Sequence, residues 1–371
     1  MRWSRVVRSG RWAAGVCAAL VVTACGGQGA APPQVPAAVP GQTPLAQVKP
    51  LADPRGYTGP TTAVVAQPDI QPVAPEPKPA LPVTVTDFQG TKVTVSDASR
   101  ILAFDMSGTL AATVFGLGLG DRVIGRDVST GFPGSEKLPV ITANGHQLNG
   151  EAIMALKPTV VLTDTSIGPW NVVLQLRDAH VPVVVVDSKR SMDNTRELVG
   201  SVAAALGVPA AGKQLADRID GQIARKKAEI AHLVPADPAK RPRVAFLYVR
   251  GQAGVYYMFG KGSGVESILS ALGVVDVAAE AGIDGMRPIN PEALSRARPD
   301  LVLMMTKGLE SVGGVDGALA IPGLAQTPAA KKRRFVDLSD YQILSFGPLT
   351  ASVLDALARA VYAPDSVKAA K

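Results

Sequence analysis

The sequence predicts an α/β protein with two similar lobes joined by one long helix and preceded by a disordered tether. Three observations support this prediction. Short apolar strands alternate with helical stretches along most of the chain, a long amphipathic stretch separates two such sets, and one helix–strand segment occurs twice. The 371 residues, 47% of them hydrophobic, suffice for two packed cores.

The first 24 residues are typical of a bacterial signal peptide. Four arginines and no acidic residue are followed by an apolar run over residues 12–24, which is short for a membrane span. The run ends in Val22-Thr23-Ala24-Cys25, which resembles the lipoprotein processing box, so Cys25 is the predicted lipidated N-terminus. An uncleaved anchor or an accidental cysteine is the alternative interpretation.

The net charge and the cysteine content bear on nucleic-acid binding, disulfides and thiolate metal sites. Cleavage before Cys25 removes four arginines and lowers the net charge from +7 to +3, so the basic balance does not indicate a nucleic-acid partner. The two cysteines are Cys17, in the signal peptide, and Cys25. The mature chain is therefore expected to have no internal disulfide and no thiolate metal site.

Residues 25–82 are predicted to form a disordered tether. This segment is mostly Pro, Ala, Gln, Val and Gly, and its prolines cluster at 72, 75, 77 and 79. Such a composition favours extended polyproline-like conformations and offers few large side chains to bury.

The folded part is expected to begin with a β-hairpin near Val83 and to form a first lobe over residues 83–207. Alternating Val and Thr on either side of Asp87-Phe88-Gln89-Gly90 predicts the hairpin. Apolar strands are predicted at 100–104, 122–125, 160–163 and 182–187, with helices between them. This pattern is typical of a mainly parallel sheet covered on both faces.

A bridging helix is predicted over residues 208–235, because Leu215, Ile219, Ile223, Ile230 and Leu233 recur at helical spacing among charged residues. An ordinary sheet-covering helix is the alternative. A second lobe follows over residues 236–362, with strands at 243–249, 301–305 and 334–337 and a closing helix at 348–362. Residues 363–371 are read as a tail.

An internal repeat supports the two lobes. Residues 148–162 (LNGEAIMALKPTVVL) match residues 289–303 (INPEALSRARPDLVL), each a helix whose proline-marked end leads into a buried strand. Two facing α/β lobes form a cleft, and ligands of such sheets bind beyond the carboxyl ends of the strands.

These features resemble the ABC-importer binding proteins for haem, siderophores and cobalamin, and residues 83–362 carry the resemblance. The segments 305–317 (MTKGLESVGGVDG) and 321–327 (IPGLAQT) are similar to the haem-binding branch. The resemblance implies the class III periplasmic-binding-protein fold with Rossmann-like lobes. It also implies haem as the transported ligand, an ABC permease and its ATPase as partners, and haem or a haem-carrying surface protein as the source. The protein would be anchored to the cell membrane by lipid on Cys25, facing the periplasm or the exterior.

Of the three histidines, His146 is the candidate iron ligand. His180 precedes a predicted strand and His232 lies near the end of the bridging helix, so both have structural explanations. His146 stands in the polar loop ANGHQLN at 143–149, directly before the first repeat helix, and the resemblance implies an axial haem ligand here. The alternative is that His146 is a solvent-exposed loop residue with no ligand role.

Tyr248 and Arg250 are the candidates on the second lobe. Strand alternation places Phe246, Tyr248 and Arg250 on one face, with the last two near the carboxyl end. A phenol ligates ferric iron as phenolate, and a neighbouring cation such as Arg250 favours that charged form. The resemblance implies that His146 and Tyr248 coordinate the same iron from opposite lobes. A rim tyrosine beside a solvated arginine is the alternative.

Permease contacts and enzymatic activity are less well supported by the sequence. Glu266 is a candidate permease contact on the second lobe, whereas Ala112 stands where the family pattern usually has Glu on the first. No Gly-x-Ser-x-Gly elbow or dinucleotide fingerprint is present, so we expect a binding protein rather than an enzyme. Siderophore or cobalamin binding remains the alternative function.

Overall fold

The computed structural model describes residues 42–368 and confirms the predicted α/β class. The predicted signal peptide, Cys25 and the start of the predicted tether lie outside these residues. The first half contains, in order, β1 Thr61–Thr62, β2 Val83–Thr86, β3 Lys92–Val95, β4 Ile101–Phe104, α1 Thr109–Gly116, β5 Val123–Gly125, β6 Thr142–Ala143, β7 Gln147–Leu148, α2 Gly150–Ala155, β8 Val160–Thr163, α3 Trp170–Asp178, β9 Val183–Val185, α4 Thr195–Ala205 and α5 Pro209–Ala231.

The second half repeats the alternation of strands and helices. It contains β10 Arg243–Arg250, β11 Val255–Phe259, α6 Val265–Leu272, β12 Val275–Asp276, α7 Val277–Glu280, β13 Met286–Pro288, α8 Pro291–Ala297, β14 Leu301–Met305, α9 Thr306–Ser311, α10 Gly314–Ala318, α11 Pro328–Lys331, β15 Phe335–Leu338, α12 Thr350–Tyr362 and α13 Asp365–Lys368. Short 3-10 turns occur at Leu45–Gln47, Gly120–Arg122, Pro238–Lys240 and Gly251–Ala253.

The first lobe is built on a parallel sheet of four strands in the order β5-β4-β8-β9. All four residues of β4 are buried, and successive side chains enter different cores. Ile101 and Ala103 pack with helices α1 and α4, whereas Leu102 and Phe104 pack with α2 and α3. Helices therefore cover both faces, which is why the strands read as continuous apolar runs. The predicted hairpin pairs β2 with β3.

The second lobe has a mixed sheet in the order β1-β15-β14-β10-β11-β13, with β12 paired to β10. Strands β1, β15, β14 and β10 are parallel, as alternating strands and helices predict. Strands β11 and β13 add an antiparallel edge that the sequence analysis did not identify. This edge extends the sheet beside Tyr248.

Helix α5 links the two lobes. It begins at Pro209, whose missing N–H costs nothing at the first helical position, and buries Leu215, Ile219, Ile223 and Ile230 on one face. The helix contacts α4 of the first lobe and α12 of the second. Within residues 42–368 no helix is both long and apolar enough to span a membrane.

The internal repeat is visible in the structure. Asn149 and Asn290 each cap the helix that follows, accepting a hydrogen bond from the N–H of Ala152 at 3.1 Å and of Ala293 at 3.0 Å. Each helix leads into a central buried strand, β8 in the first lobe and β14 in the second. The shared sequence pattern therefore encodes the same local structure twice.

The prediction of a disordered tether is wrong for residues 42–82, which we call the N-terminal strap. Thr61 and Thr62 form strand β1, which pairs in parallel with β15, and Leu45, Ala63 and Val65 are buried. Composition misled the prediction, because a segment without a core of its own can still bury a few side chains against a folded neighbour.

The strap contacts both lobes and the bridging helix. On the second lobe, the buried guanidinium of Arg334 donates to Thr61 Oγ1 at 2.9 Å. Arg218 of α5 donates to the carbonyls of Gln71 and Pro72. On the first lobe, the N–H of Val73 donates to the carbonyl of Gly116 at 2.9 Å. The strap is therefore a second connection between the lobes.

Candidate functional site

Two of the sequence-predicted residues, His146 of the first lobe and Arg250 of the second, lie near one another. Tyr248 and Arg250 lie at the end of β10, and His146 lies in the β6–β7 turn of the first lobe. Two observations link the lobes here. Arg250 lies close enough to His146 to affect its protonation, and the ring of Tyr341 packs against Gly131 of the first lobe.

Tyr248 belongs to an aromatic row on one face of the second sheet. Its ring stacks on Phe259 with 5.7 Å between centroids, and Phe259 in turn contacts Phe246 at 5.1 Å. The predicted alternation along β10 is thus confirmed. Phe246 and Phe259 are buried, whereas Tyr248 is half-buried, so the row ends in a phenol at the margin of the core.

Arg250 lies over the face of Tyr248, with Cζ 4.6 Å from the ring centroid. Its Nη2 donates to Asp340 Oδ1 at 2.6 Å, and its Nη1 donates to the carbonyl of Val249 at 2.9 Å. A cation over an aromatic face is attracted by the ring quadrupole, and the Asp340 pair fixes the position of the guanidinium. Arg250 is thus held beside the phenol.

His146 occupies the tip of the short β6–β7 hairpin and is half-buried. Asn144 and Gly145, with φ of 46° and 86°, form the turn that precedes it. The His146 Nδ1 atom lies 3.3 Å from Ser129 Oγ, and that hydroxyl donates to the Met106 carbonyl at 2.8 Å. Since its one hydrogen is used there, Ser129 Oγ accepts from His146 Nδ1–H. The inferred tautomer leaves the Nε2 lone pair free to bind a metal.

The electrostatic surroundings keep the His146 imidazole neutral. Partial burial lowers its pKa below the ordinary value of 6.5, and the positive charge of Arg250 lowers the pKa further. A neutral imidazole is the form that ligates iron.

Asp127 holds the loop that carries Ser129. Its Oδ1 accepts hydrogen bonds from the N–H groups of Ser129 at 2.6 Å and Thr130 at 2.8 Å. Its Oδ2 accepts from the N–H of Asp105 at 3.2 Å. Burial, together with the nearby Asp105 carboxylate, raises the pKa of Asp127 to about 7. The loop that contacts His146 is therefore held by hydrogen bonds to a buried carboxyl group.

We expect Ser129→Ala to weaken binding of a metal-containing ligand at His146 by about 10–100-fold, the usual cost of losing the hydrogen-bond partner of a ligating histidine. Isothermal titration or absorbance titration measures this. Ser201→Ala, whose hydroxyl donates to the carbonyl of Glu197 on helix α4, is the matched control. Equal affinities of the Ser129 and Ser201 variants would contradict the role of Ser129.

The low pKa of His146 predicts a measurable titration in the ligand-free protein. By NMR, His146 should titrate below 6.5, and Arg250→Gln should raise its pKa because a positive charge that disfavours imidazolium is removed. His180 and His232, both exposed, serve as internal references. A His146 pKa that does not rise in the Arg250 variant would disprove the electrostatic link between the lobes.

The remaining sequence candidates have other surroundings. Glu266 accepts from the N–H of Gly262 at 2.8 Å and caps its own helix-entry loop, so its permease contact stays a prediction. Ala112 is fully buried in the core. Cys25 lies outside the described residues.

Sequence reasoning missed Ser129, Asp127 and Asp340, which support the three predicted residues. One signal was present: Asp127 and Ser129 follow a predicted strand of the first lobe, as polar residues at the carboxyl edge of a sheet do. Their hydrogen bonds depend on the folded loop, however, and no sequence spacing encodes them.

The fold and the site together define a two-lobed binding protein. The periplasmic binding protein family model matches residues 106–341, which is more than half of the chain. The chain belongs to this family.

Solved structures agree with this assignment. The chain is 40% identical to the heme binding protein HmuT, with a TM-score of 0.80 over 84% of this chain and 100% of that one. The periplasmic heme-binding protein RhuT from Roseiflexus sp. RS-1, in apo form, is 36% identical, with a TM-score of 0.65 over 73% of this chain and 100% of that one.

One curated relative is named for a different ligand. The cobalamin-binding protein of Halobacterium salinarum is 27% identical over 257 residues, which cover 66% of this chain. The chain spans 64% of the length of that relative.

Proposed function

We propose that the protein binds ferric haem between its lobes and delivers it to an ABC importer for haem and iron uptake. The observation that carries this proposal is that Arg250, which lies over the Tyr248 ring on the second lobe, is near enough to His146 of the first lobe to lower its pKa. His146 and Tyr248 have the chemistry of an axial haem ligand pair.

Comparison with HmuT supports the same three positions. Structures of that protein have also been solved with alanine in place of an arginine, a tyrosine and a histidine. Its tyrosine and arginine are two residues apart, as are Tyr248 and Arg250. The match in residue type and spacing favours these residues as the haem-binding set of this chain.

In the proposed complex, His146 Nε2 and the Tyr248 phenolate occupy the two axial positions of the haem iron. Ser129 holds the imidazole in the required tautomer, and Arg250 stabilises the negative charge of the phenolate. With both axial positions filled, no site remains for oxygen chemistry, so the haem is carried rather than used. Separation of the lobes breaks one ligand bond and allows release.

The test is an absorbance titration of the chain from residue 26 onward with ferric haem. A saturable Soret band at about one equivalent is the expected result. Because a curated relative is named for cobalamin, aquocobalamin is titrated in parallel. Saturable cobalamin binding without a saturable change in the Soret band on haem addition would overturn the haem assignment and favour cobalamin.

We further infer a lipid anchor at Cys25, which places the protein on the outer face of the cell membrane beside its permease and ATPase. The processing box at residues 22–25 supports this inference. Mass spectrometry of the N-terminal peptide from the membrane fraction tests it. A peptide beginning with diacylated Cys25 is expected, and one that retains residues 1–24 would contradict it.

A further inference from the structure

A second polar pair, Lys307 and Tyr341, lies next to the proposed ligands. Lys307 Nζ donates to Tyr341 Oη at 2.5 Å and lies 4.4 Å from the centre of the Tyr341 ring. The backbone N–H of Lys307 donates to Asp340 Oδ2 at 2.9 Å, and the other oxygen of Asp340 pairs with Arg250. One carboxylate therefore holds both Arg250 and the Lys307 segment.

The pair also lies at the boundary between the lobes. A Cβ atom at position 131 would come within 2.5 Å of the Tyr341 ring, so the ring packs closely against Gly131 in the first lobe. Gly131 belongs to the same loop as Ser129, which contacts His146. Tyr341 therefore contacts the loop that supports His146, and Lys307 is held beside Tyr341.

Lys307, unlike the nearby Arg250 and Arg190, has no carboxylate partner within the described part of the chain. Arg250 pairs with Asp340, and Arg190 pairs with Asp105 and Asp164. Arg126 donates to the carbonyls of Asp127 and Thr130. The Lys307 ammonium is exposed, and its hydrogen-bonding partner is a neutral phenol.

The Tyr341 hydroxyl and the Lys307 ammonium each have a hydrogen that can be donated to a ligand. An ammonium group only donates, so Tyr341 Oη accepts from Lys307, and the Tyr341 hydroxyl hydrogen has no acceptor among residues 42–368. Lys307 also has N–H donors to spare. One carboxylate could accept from both groups at once, with the charge of the ammonium opposite its own.

We propose that Lys307 and Tyr341 form a subsite for a carboxylate of the bound porphyrin, a haem propionate. This inference rests on the proposed function and adds a determinant of ligand choice. The subsite selects a porphyrin with a free acid group, whereas the iron ligands recognise the metal.

The experiment compares ferric haem with haem dimethyl ester, in which both carboxylates are blocked. Lys307→Met and Tyr341→Phe should each weaken binding of haem by about 5-fold, the size expected for a partly exposed charge pair. Binding of the dimethyl ester should change less than 2-fold, and the Soret position should stay the same because axial ligation is untouched. Lys331→Met is the matched control, since this exposed lysine precedes β15 and lies at the opposite edge of the sheet.

The outcomes separate the subsite from the proposed function. Unchanged haem affinity in both variants, or an equal loss for haem and its ester, would overturn the subsite while the wild-type Soret band still upheld haem binding. Absence of a saturable change in the Soret band with the wild-type protein would overturn both.

Discussion

Replacing His146 by alanine, or Tyr248 by phenylalanine, should lower the affinity for ferric haem by at least about 100-fold. Loss of a hydrogen-bond partner of a metal ligand already costs about 10–100-fold, and loss of the ligand itself removes an iron bond. The Soret and visible bands of any residual complex should also shift, because axial ligands set the electronic state of haem iron. Absorbance titration measures both effects.

Matched variants separate ligation from damage to the fold. Tyr248→Phe keeps the ring that stacks on Phe259, so packing is retained while the oxygen is lost. Tyr256→Phe removes the same group from the neighbouring strand, where Tyr256 packs on the opposite core, and His232→Ala removes an exposed histidine. These two controls should bind haem like the wild type. Wild-type affinity and spectrum in the His146 and Tyr248 variants would exclude the assigned ligand pair.

Removing the N-terminal strap should cost a large part of the stability of the protein. A chain that begins at Val83 loses the buried Leu45 and Val65, worth about 1.5–3 kcal/mol each. It also loses the hydrogen bond from the Arg334 guanidinium to Thr61, and a hydrogen bond to a charged group is worth about 1.5–3 kcal/mol. Since domains are stable by only about 5–15 kcal/mol, we expect a Tm at least about 10 °C lower, or insoluble protein.

A chain that begins at residue 42 keeps the whole strap and is the control, with a Tm close to that of the full mature chain. Hydrogen exchange in the intact protein gives an independent test. The amides of Leu51, Ala63 and Val73, which donate to Tyr362, Asp337 and Gly116, should be protected. Rapid exchange at all three amides would show that the strap does not hold the lobes in solution.

Much of the fold could be predicted because its local patterns agree with its tertiary structure. The strand predicted at 160–163 is β8, and the helix predicted over 208–235 is α5 at Pro209–Ala231. The repeat helices are capped by Asn149 and Asn290, residues visible in the sequence. In each of these cases, hydrophobic spacing and capping residues specify the element directly.

The strap and the supporting network could not be predicted, for two different physical reasons. The order of the strap comes from distant partners such as Arg334, which lies more than 270 residues from Thr61. The Ser129–His146 contact depends on a loop folded around buried Asp127. The sequence did place Tyr248 and Arg250 on one face, because strand alternation is local, but it gave no sign of Asp340 beside them.

An iron-edge anomalous difference map from crystals of the haem complex tests the central claim most directly. We expect one iron peak per bound haem, within coordination distance of His146 Nε2 and Tyr248 Oη at the same time. An iron peak outside the space between the lobes, or one that touches neither side chain, would contradict the account.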